Sequence, residues 1–150
     1  MDERRRARRG LSVRRAVLGD EHVDRALARR TRFNREFQDL LTRYAWGEIW
    51  TRRGLPRRTR SLITLAAMVA LNRSDELRLH LRAALRSGVT QGEIKEVLLQ
   101  MAVYCGLPAA NSAFHLAARV FAEVDAGKRR GASRGRRGSQ RRRSGRRDGV

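Results

Sequence analysis

The chain has one cysteine, two prolines, eight aromatics and two lysines in 150 residues. A lone Cys105 excludes an internal disulfide, a thiol-disulfide pair and a cysteine-built zinc site. The longest apolar run, residues 62–71, is ten residues and includes Thr64, about half of a membrane span. The N-terminus has no apolar stretch behind its basic residues, so nothing there reads as a secretion signal and the expected location is cytoplasmic. Negative charge is also scarce: 15 Asp and Glu stand against 35 Lys and Arg, for a formal net charge of +20.

That excess is uneven. Residues 1–15 carry seven basic and two acidic groups, and residues 128–150 carry eleven and one. The body between them is only mildly basic. This argues against a nucleic-acid-binding body, although an Arg/Gly/Ser tail could touch polyanions non-specifically. Such contact would be salt-sensitive and blind to sequence, and the tail has no aromatics to stack on bases. The expected organisation is a flexible basic N-terminus (1–11), one folded domain (12–127) and a disordered tail (128–150) that lacks apolar residues to offset its ordering entropy.

What is present between the ends is helical periodicity. Ser12 is placed to cap a short helix ending at Gly19, and Asp20 the next. Phe33, Phe37, Leu40, Leu41 and Tyr44 follow at helical spacing. Pro56 suits the first turn of a further helix, apolar nearly all round from Leu62 to Leu71 and therefore expected to be central and buried. Asn72 ends it. Ser74 is the expected cap of the next helix, with Asp75 and Glu76 in its first turn, and Gly88 its stop. Thr90 and Glu93 form a capping-box pattern, and Ile94, Val97, Leu98, Met101, Ala102 and Cys105 make one stripe. Gly106 closes that helix, Pro108 opens the last, and Ala113, Leu116, Ala117 and Val120 face inward from it. No segment alternates as a strand does. The fold class is all-α, with six or seven helices. Paired alanines permit close helix approach, and so many apolar faces on so short a domain suggest burial against other subunits.

Candidate chemistry is concentrated in a few side chains. Glu76 and His80 lie at i,i+4, on one helix face, where a carboxylate would favour the imidazolium and make His80 a general acid. Asn111 and His115 form a second such pair. Arg60, last of three arginines opening the buried helix, is best placed to meet a buried anion. Trp50 and Tyr104 are candidate pocket walls, and Cys105 ends an apolar stripe. Spacing alone also permits a surface Glu–His pair, a core histidine and an inert cysteine.

Several blocks in order carry a family resemblance: Arg15–Asp20 with His22-Val23-Asp24, Trp46–Arg52, Gly54–Arg57 with Thr59–Leu62, Glu76–Ala84, Gly88–Thr90 with Glu93–Glu96, and Tyr104–Asn111. The chain resembles the carboxymuconolactone decarboxylase family over about residues 12–125. The resemblance implies an all-helical alkylhydroperoxidase-D-like bundle in a homo-oligomer, most simply a hexamer, with a trimer as the alternative. Peroxidase relatives in that superfamily carry a C-x-x-C pair ahead of a histidine matching His80. Here those positions are Arg73 and Glu76, which removes thiol chemistry.

The implied reaction is decarboxylation of 4-carboxymuconolactone, a small dicarboxylate lactone, to 3-oxoadipate enol-lactone in protocatechuate breakdown (the beta-ketoadipate pathway). It needs no cofactor and no metal. The implied site has His80 and Glu76 as catalytic residues and Arg60, Cys105, His115, Trp50 and Tyr104 around the substrate. The alternatives are a superfamily member acting on another small carboxylated substrate, and a nucleic-acid-associated helical protein using its tail.

Overall fold

The computed structural model describes residues 2–144, with side chains through 132. Among them are seven α-helices, one π-helix and no strand. The all-α expectation holds.

The first helix starts earlier than the sequence suggested. It is α1 (Glu3–Leu18), capped by Asp2, whose carboxylate accepts the Arg4 N–H at 3.2 Å. Glu3 holds two cations, Arg6 at 2.9 Å and Arg43 at 2.6 Å. Residues 3–11 are therefore built into a helix and tied across the fold, not a flexible leader, and Ser12 lies inside the helix. The reason is at Gly10. It is buried, and a Cβ there would collide with the Thr42 carbonyl oxygen and approach the Gly47 nitrogen within 2.9 Å. Two glycines thus let α1 lie against the π-helix backbone to backbone.

After Gly19 (φ +88) come α2 (Asp20–Ala28), the short α3 (Arg35–Leu40) and the π-helix (Leu41–Ile49). The π-helix turns Trp46 and Gly47 toward α1, leaving the aromatic stripe on the outside. Phe33 is fully exposed, and Phe37, Leu40 and Tyr44 are more than half exposed.

Pro56 is the residue before α4 (Arg57–Ala70), fitting its fixed φ to the helix entrance. This helix is not buried all round: only Ser61, Leu65 and Val69 are, while Ile63 is 54% exposed. It packs on α5, α6 and α7, leaving one side open within the chain. Asn72 takes φ +53, a left-handed conformation that asparagine tolerates better than most residues, and turns the chain into α5 (Ser74–Arg86). The N-cap of α5 is Arg73, without a side-chain cap, so Ser74 begins the helix rather than capping it. The Thr90/Glu93 capping box is present at the start of α6 (Gln91–Cys105), with both reciprocal bonds made, at 3.1 and 2.9 Å.

The last helix, α7 (Leu107–Ser144), runs past 127, where composition had suggested an unstructured tail. No proline interrupts it, and arginine is a good helix former. Residues 145–150 of that expected tail lie outside the described residues.

The core has two parts. The larger joins Leu65 and Val69 of α4, Leu77 and Leu81 of α5, Ile94 and Leu98 of α6, and Ala113, Leu116 and Val120 of α7. The smaller joins Val13 and Val17 of α1, Val23 of α2, Trp46 and Ala83. Helix α5 lines both, Leu77, Leu81 and Ala84 facing the larger and Ala83 the smaller.

Candidate functional site

His80 sits on α5 at the seam between the two cores, half-buried. Burial is the largest influence on its imidazole and pulls its pKa below the ordinary 6.5. A second histidine, His22 on α2, repels the protonated form and acts in the same direction. Glu76 opposes both, but it is exposed and its effect is the smallest of the three. Among the described residues Glu76 makes no hydrogen bond or ion pair. Burial and His22 thus outweigh Glu76, and their balance favours the neutral imidazole over the imidazolium expected from the Glu76 pairing; a neutral ring can donate one hydrogen bond and accept another.

His22 was not singled out from the sequence for chemistry. Its own pKa is also lowered, first by burial, then by Arg14 and Arg25. Arg14 is 4% exposed and donates to the Thr42 hydroxyl (3.3 Å) and the Gln38 amide oxygen (3.2 Å), with no carboxylate partner among the described residues. Its positive charge disfavours protonation of His22. The readable signal was His22 one residue before Val23, at the edge of the inner face of α2.

Arg60 is partly buried in the first turn of α4. Its Nη2 donates to the Arg52 carbonyl at 3.2 Å, while its buried Nε has no partner among the described residues. The neighbouring Ser61 hydroxyl, 2% exposed, is also unpartnered. Trp50 packs on Trp46 with ring centroids 4.9 Å apart and lines a cavity of about 320 Å³ with Arg52 and Arg57. Cys105 is a half-buried free thiol at the end of α6. Tyr104 beside it is 77% exposed. His115 and Asn111 are both exposed on α7, not a hydrogen-bonded core pair.

Among the described residues, Trp50 and His115 thus line two different cavities. What the structure does bring together is a separate cavity of about 360 Å³ at the α4–α5 turn, closed on its far side by α7. His115 lines it with Arg73, Arg119, Ser74 and Ser112. Arg119 follows His115 by four residues, a spacing that places both on one face of α7 and was legible in the sequence. Arg73 was noted only as the position of a missing thiol. Among the described residues no group of three His, Cys, Asp or Glu side chains is arranged to hold a metal ion.

Residues 35–119 match the carboxymuconolactone decarboxylase family. A 4-carboxymuconolactone decarboxylase of Acinetobacter baylyi is 51% identical over 124 residues, covering 83% of this chain and 92% of that protein. A nitrosuccinic acid decarboxylase of Metarhizium robertsii is 48% identical over 99 residues, 66% of this chain and 69% of that protein. A 48-residue 4-carboxymuconolactone decarboxylase sequence from Pseudomonas putida is matched along its whole length at 56% identity, covering 32% of this chain.

Proposed function

The chain belongs to the carboxymuconolactone decarboxylase family, and from that premise we propose that it decarboxylates 4-carboxymuconolactone to 3-oxoadipate enol-lactone. The observation that carries this reading is the 51% identity spanning 92% of the Acinetobacter baylyi decarboxylase. It places the protein in the beta-ketoadipate pathway of protocatechuate catabolism.

The chemistry asks little beyond what the helices offer. The bond from the ring carbon to the departing carboxylate breaks, and its electron pair spreads through the C=C bond onto the lactone carbonyl as a dienolate. CO2 leaves, and one proton is then added to carbon, so the overall change is redox-neutral. The substrate is its own electron sink. The protein supplies a cationic seat, a hydrogen-bond donor where the oxyanion develops, and a proton. A neutral His80 suits the donor role, because it can give a hydrogen bond without strongly stabilising the departing carboxylate in the ground state. Arg60, with an unpartnered buried Nε–H, is a further donor. Glu76 lies on the His80 face of α5 and orients charge near it, while Trp50, Tyr104, Cys105 and His115 are proposed to line the site.

Those residues converge only if a second copy contributes, and we read the protein as a cytoplasmic homo-oligomer, most simply a hexamer. Support comes from a contiguous apolar outer face on α6 and the start of α7, where Val103, Tyr104 and Leu107 are each at least 75% exposed. Among the described residues no helix is long and apolar enough to cross a membrane.

The deciding experiment is an assay of the purified full chain with freshly made 4-carboxymuconolactone, followed by loss of its ultraviolet absorbance. The nitrosuccinic acid decarboxylase relative favours one second reading, a changed carboxylated substrate. Turnover of nitrosuccinate with none of the lactone would replace the first reading by the second.

A further inference from the structure

The cavity at the α4–α5 turn has the composition of an anion seat. Its floor is apolar, made by Met68, Val69, Leu77 and Ala113, and its rim carries Arg73, Arg119 and His115. In a chain with 35 cations and 15 acidic residues, an arginine without a carboxylate is common and proves little. These two differ in sharing one concave site, of a size that holds small ligands, over an apolar floor and beside an imidazole. Their neighbours on α5 show the contrast: Arg78 and Arg82 both pair with Glu123, whereas among the described residues neither Arg73 nor Arg119 has an ion pair. Asp75 and Glu76, the carboxylates closest in sequence, are not part of the lining.

The backbone contributes as well. Asn72 adopts its left-handed conformation where it delivers Arg73 and Ser74 to the cavity rim. The first turn of α5 has no side-chain cap, so its leading N–H groups are available to an anion at that rim, while Asp75 and Glu76 of the same turn lie outside the lining. Arg73, the N-cap residue, precedes Leu77 and His80 by four and seven positions, so the cavity rim lies at the N-terminal end of the α5 face that carries His80.

We propose that Arg73 and Arg119 form a two-arginine clamp for the carboxylate that the substrate keeps. The assignment to the retained group follows from the reaction. A tight cationic grip on the departing carboxylate would stabilise the ground state, since that group must lose its charge to leave as CO2. A grip on the retained carboxylate is equal in ground and transition states, so it sets affinity and selects dicarboxylates over monocarboxylates. His115 and the Ser74 and Ser112 hydroxyls complete the seat as hydrogen-bond donors. The clamp takes the identity of its dicarboxylate from the decarboxylase reading, and its existence from the cavity.

The test uses the full chain with Arg73→Gln, Arg119→Gln, the charge-keeping Arg73→Lys, and Arg78→Gln as a control for loss of general positive charge. KM and kcat are measured with 4-carboxymuconolactone, and adipate binding is measured by calorimetry. The clamp predicts that each clamp Gln variant raises KM about 10- to 100-fold with kcat within about threefold, the range for removing a hydrogen bond to a charged group. Arg73→Lys should recover part of the loss, Arg78→Gln should stay near wild type, and adipate affinity should fall in step with the rise in KM. Wild-type turnover with unchanged KM in both folded Gln variants overturns the clamp and leaves the decarboxylase reading standing. Adipate binding that depends on Arg73 and Arg119, in a protein that does not turn over the lactone, supports the clamp and overturns the substrate assignment instead.

Discussion

At the residue scale, two half-buried histidines couple stability to pH. Both His22 and His80 have pKa values below the ordinary 6.5, chiefly through burial. Above pH 6.5 both native and unfolded chains carry neutral imidazoles, and nothing is lost. As pH falls below 6.5, the unfolded chain takes protons that the native chain resists, so stability declines until the native pKa values are passed. Thermal midpoints should therefore drop between pH 7 and pH 5, and the drop should be smaller in His80→Gln than in wild type. An equal drop in both would show that carboxylates, not His80, set the acid response. For activity, His80→Ala should lower kcat about 10²- to 10³-fold, the cost of removing one oxyanion donor. Near-normal kcat in a folded His80→Ala across pH 6–8 would make His80 structural and turn attention to His115. The i,i+4 spacing correctly put Glu76 and His80 on one face. It could not show what opposes the imidazolium, because burial and His22, 58 residues away in the chain, act on His80 only once α2 and α5 meet.

At the scale of elements, local signals were legible in part: the caps expected at Ser12, Asp20 and Ser74 are not the N-caps, which are Asp2, Gly19 and Arg73, while other local signals appear where expected. The Thr90/Glu93 capping box, the glycine stops at 19, 88 and 106, and the inner stripes of α6 and α7 depend on neighbours within a turn or two, and each appears in the fold. The start of α1 and the outward turn of Phe33, Phe37 and Tyr44 depend on α1 meeting the π-helix, a pairing over more than thirty residues with no local signature. Gly10 and Gly47 are what make that pairing possible. At Gly47 a Cβ would come within 2.5 Å of the Arg6 carbonyl oxygen, and at Gly10 it would strike the Thr42 carbonyl oxygen. Both obstacles are backbone, which cannot swing aside as a side chain does. Gly10→Ala should therefore destabilise the protein by about 1–3 kcal/mol or more, the usual range for overpacking, by forcing α1 away from the π-helix. Urea unfolding measures it directly. A loss under about 0.5 kcal/mol would mean that α1 can shift at little cost. The same sequence taken as helix alone predicts the opposite sign, since alanine favours a helix interior by roughly 1 kcal/mol over glycine. The experiment thus separates packing from propensity.

At the scale of the whole molecule, charge and assembly pull on different parts of the chain. The fold class, and the reaction through the family blocks, were legible because they rest on patterns spread along one chain. The site was legible only residue by residue: Arg60, His80, Cys105 and His115 fall on four different helices. The basic C-terminal stretch presents the converse case. Residues 128–150 hold ten of the twenty net positive charges yet no large aliphatic or aromatic residue before the terminal valine, so their composition offers little for a core. That α7 continues through 144 changes the stretch from a chain end to a helical extension, but not its lack of apolar surface. Truncation after Gly127 should leave kcat/KM for 4-carboxymuconolactone within about twofold when measured near 0.15 M salt, where exposed charges act over only about 8 Å. It should also weaken retention on an immobilised polyanion, and salt should erase that difference between the two proteins. Half of the net charge leaves while the substrate is itself an anion. A large fall in kcat/KM only at low salt would therefore show the extension steering substrate toward the site, whereas a fall that persists at high salt, in a truncated chain that keeps its assembly, would place the extension in the site itself.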